Sequence, residues 1–193
     1  MKTKTPTQLL REAVKTEFSS HVADLGFVKE KRHDSNGLVY FYRRALDQRQ
    51  DLLEAQFDQY HRPKVVLNFG SVPVTGLIDG YGRRLSAEEV YCYHLVKTAR
   101  LYRVFLPFYR QWFRLSRLDL ALATPDKAAW QEVSLMIARF VEVENWLNKR
   151  EIGPHVEVSV NPINEPSAAK RRMIANGAWP PEGWTEEDER RSR

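Results

Sequence analysis

The chain has 193 residues, 42% of them hydrophobic and 28% charged, with a net charge of +5. Those proportions belong to a folded domain long enough to bury a real core. No run approaches the roughly 18–20 apolar residues of a membrane span, and the start, Met1 to Thr7, has lysines without the apolar stretch of a secretory signal. The one cysteine, Cys92, excludes an intrachain disulfide and a Cys-rich zinc site. A cytoplasmic protein without membrane contact is expected. From Glu165 onward six acids balance six bases, so the positive excess lies in residues 1–164. Such an excess suits contact with an acidic protein surface or with nucleic acid.

The first element is a helix starting near Thr5 or Thr7, either of which can cap it, with Pro6 suited to the first turn. Leu10, Val14, Phe18, Val22 and Leu25 form its apolar stripe, and Gly26 ends it. A first strand is expected over Phe27–Arg32, turning at Ser35-Asn-Gly37. Three further strand-like runs follow, Leu38–Arg44, Asp51–Tyr60 and Lys64–Pro73. In the second, Leu53, Ala55 and Phe57 alternate with Glu54, Gln56 and Asp58; in the third, Val65, Leu67 and Phe69 alternate with Val66, Asn68 and Gly70. Period-two alternation predicts an antiparallel meander with one face buried and the other solvated. Asn68 and Gly70 on the second face point to a close helix or a partner packed there, or to a tight bulge.

Residues 74–84 read as a glycine-containing loop. Ser86-Ala-Glu-Glu89 is a capping box, and a helix is expected from there to about Ala99. Residues 100–116 are ambiguous because Pro107 interrupts an aromatic run at helical spacing. Leu118, Leu120 and Leu122 suggest a short strand. Thr124-Pro125-Asp126 opens the strongest helix, with Trp130, Val133, Ile137, Phe140, Val141 and Leu147 as its stripe and Gly153-Pro154 as its stop. His155–Val160 alternates, with Val156, Val158 and Val160 inward, and should rejoin the sheet. The fold class is α+β: an N-terminal helix and a mainly antiparallel sheet of about five strands, covered on one face by helices. Residues 1–160 form a single domain. Residues 161–193 form an extension, with a short helix near Ala168–Ala175, tryptophans Trp179 and Trp184 and a mobile end.

The helix ending in Leu25-Gly26-Phe27, the basic strand, Tyr40-Phe41-Tyr42-Arg43, the following hydrophobic–polar strand and Val66-Leu67-Asn68-Phe69-Gly70 come in an order that resembles an uncharacterised bacterial family, domain of unknown function 4304. The resemblance covers about residues 8–73. It implies a small cytoplasmic α+β protein of bacterial origin and supplies no catalytic residues.

Between Lys97 and Leu118 stand Lys97, Arg100, Arg103, Arg110, Arg114 and Arg117 with no acid, interleaved with Tyr102, Phe105, Phe108, Tyr109, Trp112 and Phe113. If the part beyond Pro107 is helical, Arg110, Arg114 and Arg117 share a face. Guanidinium groups bind carboxylate or phosphate through paired N–H donors, and aromatics beside them stack on bases or anchor a partner. Arg103, Arg110, Arg114, Arg117, Tyr109 and Trp112 are the candidate binding residues. The competing reading is a basic outer face over an aromatic core, its arginines paired with internal acids. Asp51, Glu54 and Asp58 with Gln56, after a helix bearing Glu12 and Glu17, resemble a metal-dependent nuclease pattern without its lysine. Their plainer reading is a solvated strand face. The five histidines show no zinc spacing, and Cys92 with His94 sits at a spacing that faces them apart on a helix. No Gly-rich phosphate loop occurs. No catalytic set, metal or cofactor is expected.

The expected function is a non-enzymatic protein-interaction module, of immunity, inhibitor or accessory type, for a partner with an acidic surface. The alternative is nucleic-acid binding through residues 97–117. An enzyme of unknown type, a degenerate metal-dependent nuclease, comes third.

Overall fold

Thr5 begins the first helix: its hydroxyl accepts from Gln8 N–H, and Gln8 Oε1 accepts from Thr5 N–H at 2.8 Å, with Pro6 in the first turn. In this computed structural model, which describes residues 4–31, 37–106 and 109–179 apart from the side chains at 105, 106 and 109, α1 (Pro6–Ala13) passes through a π-helical turn, Val14–Phe18, into α2 (Ser19–Asp24). The stripe Leu10, Val14, Phe18, Val22 repeats every fourth residue. In an unbroken α-helix each step would lie roughly 40° further round. The wider π turn absorbs the surplus, and all four side chains are completely buried. Gly26, at a left-handed φ of 86°, lets the chain leave the helix.

Strands β1 (Val28–Lys29), β2 (Val39–Ala45), β3 (Arg49–Phe57) and β4 (Lys64–Pro73) form the expected antiparallel meander. β1 is shorter than the run 27–32, and its turn to β2 lies, except for Gly37, outside the described residues. β5 (Leu77–Ile78) and β6 (Arg84–Leu85) then make a small separate hairpin. The capping box at Ser86 forms, yet the helix expected to Ala99 does not. It is replaced by two 3₁₀ turns, Ala87–Glu89 and Cys92–His94, and by strand β7 (Lys97–Leu101). Val90 and Leu95 take extended backbone at the ends of those turns and bury their side chains with Cys92 and Ala87 against Leu52 and Val72. Burial against the sheet overrides the local start signal.

β7 pairs with β4, and β11 (Val156–Val160) pairs with β7. Between them, β8 (Arg103–Leu106) and β9 (Tyr109–Gln111) form a second hairpin, and β10 (Phe113–Arg114) pairs with the start of β4. The main sheet thus has seven strands rather than five, in the order β1-β2-β3-β4-β7-β11 with β10 alongside β4. Leu118, Leu120 and Leu122 lie not on a strand but in α3 (Arg117–Leu122), which starts because Ser116 and Asp119 cap each other. The strong helix is broken at Arg139 into α4 (Pro125–Ala138) and α5 (Phe140–Lys149). That break resets the helical phase. Val133, Phe140 and Leu147 are buried as expected, with Met136, Val143 and Trp146, but Trp130 and Val141 are 53% and 60% exposed.

One sheet face packs on α1, α2, α4 and α5 through Leu53, Ala55, Phe57, Val65, Leu67, Phe69, Ala99, Leu101 and Val156. Val158 is partly buried, whereas Val160, expected inward, is exposed at the strand end. The opposite face is not solvated as expected. Segment 86–96 covers much of it and buries Glu54, while Asp58 is buried at the β3–β4 turn under Arg62 and Lys64, and Phe57 is buried on the helix face. Gly70 makes room for that cover: a Cβ there would lie 2.3 Å from Leu95 Cδ1. The C-terminal part crosses the same side. α6 (Ala168–Ala175) forms where expected, Asn164 Nδ2 donates to the carbonyls of Tyr93 (2.5 Å) and Leu95 (2.9 Å), and Lys170 Nζ donates to Gly80 O at 3.0 Å and lies over the Trp179 ring. Trp184 and the end expected to be mobile fall outside the described residues.

Two outcomes follow from this burial. Phe57→Ala should lower unfolding free energy by about 3–5 kcal/mol in a urea titration. Burial, above all, raises the Glu54 carboxyl above its usual range, against the pull of the Cys92 N–H donated to it. A raised acid favours folding fully below its ordinary pKa and loses that contribution as pH climbs through the raised value. Thermal melting should therefore show Glu54→Gln gaining stability over the parent at pH 8 and little at pH 4.

Candidate interaction site on the basic edge

The six candidate residues do not share a helix. Arg103 is in β8, Tyr109 and Arg110 in β9, Arg114 in β10, Arg117 at the start of α3, and Trp112 between β9 and β10. Strand pairing explains the difference: β9 completes a hairpin with β8, and β10 is drawn onto Lys64 and Val65. The Tyr109 side chain lies outside the described residues.

The arginines divide by their partners. Arg103 donates to Glu132 Oε2 at 2.7 Å, while Glu132 Oε1 accepts from Arg114 N–H at 2.8 Å. Glu132 is buried; burial raises its carboxyl above the usual range, with Arg103 opposing that shift. Arg103 therefore serves α4 and the hairpin internally. Arg110 lies 3.6 Å from Glu157, both partly exposed. Arg114 and Arg117 have exposed side chains and form no ion pair among the described residues.

Arg114 and Arg117 are brought together with Arg62 and Lys64, which the sequence reading did not single out, around a groove of about 420 Å³. The only local signal for the added pair was the run Arg62-Pro63-Lys64 before β4. Asp58 organises that side. Its carboxylate accepts from Arg62 Nε at 2.8 Å and from Tyr60 and Arg62 N–H, and stands 3.1 Å from Lys64 Nζ. These bonds, led by the Arg62 guanidinium, hold Asp58 well below the usual carboxylate range. Lys64 Nζ also lies 4.6 Å from the centre of the Trp112 ring, a cation–π contact. The groove thus carries four cations, two of them held by the buried Asp58 carboxylate. Beyond Arg117, Leu118 and Leu122 are one helical turn apart and 65% and 77% exposed.

The acidic set does not converge. Asp51 is on the helix face with Arg44 and Arg49 at 2.8 and 2.9 Å, Glu54 is on the opposite face, and Asp58 closes the β3–β4 turn. No group of three metal-ligating side chains occurs among the described residues. Cys92 is buried, which raises its thiol well above the ordinary value, and His94 Nδ1 accepts from Tyr91 N–H. Neither arrangement supplies a nucleophile with its base. Compared with protein-family models, curated proteins and solved structures, the chain matches none.

The division between engaged and open arginines predicts a stability contrast in denaturant titrations. Arg103→Ala strands the buried Glu132 carboxylate and should cost about 1–3 kcal/mol. Arg114→Gln with Arg117→Gln should stay within about 0.5 kcal/mol of the parent.

Proposed function

We propose that the protein is a non-enzymatic interaction module that receives an acidic protein surface in the groove of Arg62, Lys64, Arg114 and Arg117. A bacterial inhibitor, immunity or accessory protein of the cytoplasm is the role this chemistry suits. The observation that carries the reading is the pair Arg114 and Arg117, free of ion pairs among the described residues and continuous with exposed Leu118 and Leu122. Arginines that can clamp carboxylates beside open aliphatic side chains are the composition of an interface centre. Aliphatic side chains contribute little to a phosphate backbone. One observation favours the second reading, nucleic-acid binding: the Trp112 ring beside Lys64 joins an aromatic surface to the cationic groove.

Affinity-tagged protein separates the two. The parent should retain a defined acidic polypeptide from its own host at 0.15 M salt, and Arg114→Glu with Arg117→Glu should abolish retention while leaving the melting curve unchanged. The association rate should fall as salt rises. Retention of the same polypeptide by the charge-reversed variant would overturn the proposal. Binding to a generic oligonucleotide whose log affinity falls against log salt by about 0.7–0.9 per phosphate contact would establish the second reading instead.

A further inference from the structure

A second recess lies apart from the basic groove, on the sheet face away from the helices, where segment 86–96 stops short of covering it. It has a volume of about 400 Å³ and is lined by Phe41, Glu54, Gln56, Asn68, Tyr93 and Arg100, among others. That size is at the lower end for small-molecule sites. Its floor follows one straight rung: Phe41, Glu54, Asn68 and Arg100 stand opposite one another on β2, β3, β4 and β7, and Glu157 of β11 continues the rung beyond the recess.

The polar groups of the floor are held in fixed directions. Asn68 Nδ2 donates to Gln56 Oε1 at 2.9 Å, and Arg100 Nε donates to Asn68 Oδ1 at 2.7 Å. Asn68 thereby acts as a positioning residue: it grips the guanidinium by its inner N–H and leaves the two terminal nitrogens without a bond among the described residues. Glu157, the neighbour across the strand, reaches toward Arg110 instead. Gln56, with its oxygen occupied, keeps its amide N–H groups for the recess. Phe41 and Tyr93 supply ring surfaces, the second 66% exposed.

From this arrangement we propose that the recess binds a small organic carboxylate, its anionic group on the terminal nitrogens of Arg100 and its apolar body against Phe41 and Tyr93. A forked guanidinium matches a carboxylate, and aromatic walls favour an apolar body over a bare inorganic anion. Glu54 at the floor is engaged by the Cys92 N–H at 2.8 Å and forms no ion pair with Arg100 among the described residues. The recess shares no lining residue with the groove.

The test is an NMR titration of the labelled full chain with benzoate, with benzamide as the uncharged control. Benzoate should shift the amides of Glu54, Asn68 and Arg100 saturably below roughly 20 mM, the range for a small ligand held mainly by one ion pair. Benzamide should bind about tenfold more weakly or worse, as should benzoate to Arg100→Gln. Arg100→Lys, which keeps the charge and loses the fork, should fall between. Arg114→Gln with Arg117→Gln should leave benzoate binding unchanged, which keeps this test separate from that of the groove. Absence of saturable shifts at these three amides, equal binding of benzamide, or parent-like affinity in both Arg100 variants would each overturn the proposal.

Discussion

Strands β3 and β4 lie in the middle of the sheet, with helices on one face and segment 86–96 over much of the other, so the polar side chains buried along them must be matched inside the protein. An unmatched buried charge would cost several kcal/mol, and an unmatched buried polar group about 1–3 kcal/mol. Asp51, completely buried, lies between Arg44 and Arg49, and Arg44 continues to Glu144 of α5 and to the carbonyl of Leu25 at the end of α2. Glu54 receives the Cys92 N–H, and Asn68 sits between Gln56 and Arg100. Each match holds only in one register. A slip by one residue would exchange the two faces and strand all of these groups together. The polar pairs therefore fix what the apolar alternation alone leaves approximate, and they tie the helices and the covering segment to the same strands.

The same constraint decides which arginines can face a partner. Arg43 is held by Glu30, Gln50 and the carbonyls of Ala87 and Val90, Arg44 by Asp51 and Glu144, and Arg103 by Glu132. These serve as internal ties. Arg114 and Arg117 lie where β10 ends and α3 begins, and their guanidinium groups form no ion pair among the described residues. At this edge they meet Arg62 and Lys64, which gathers four cations around one groove.

The helix–meander half was legible because its signals are local: a threonine cap, a four-residue stripe, strict alternation and a glycine exit. The four-residue stripe pointed to a helix but not to its π turn, which the structure adds at Val14–Phe18. The segment 86–99 was misleading because a capping box starts a turn without deciding whether it continues. What decided was burial of Val90 and Leu95 on strands far earlier in the chain. The basic segment failed for the same reason. Its pairing partner, Lys64-Val65, is remote, so helical spacing past Pro107 was the only pattern visible. Half of the candidate site was therefore legible, Arg114 and Arg117, while Arg62 and Lys64 enter only through the fold.

One amide of the C-terminal extension also has a consequence for how the molecule communicates. Asn164 holds the carbonyls on both sides of His94, from Tyr93 and Leu95, and so clamps the wall of the sheet-face recess from outside. Much of the extension's docking consists of such polar contacts and of the Lys170–Trp179 stack, the sort of attachment that opens locally long before the sheet does. Wall order and extension docking are then linked equilibria. Any ligand that firms the wall must tighten the extension by the same free energy, and whatever lifts the extension away must weaken the ligand equally.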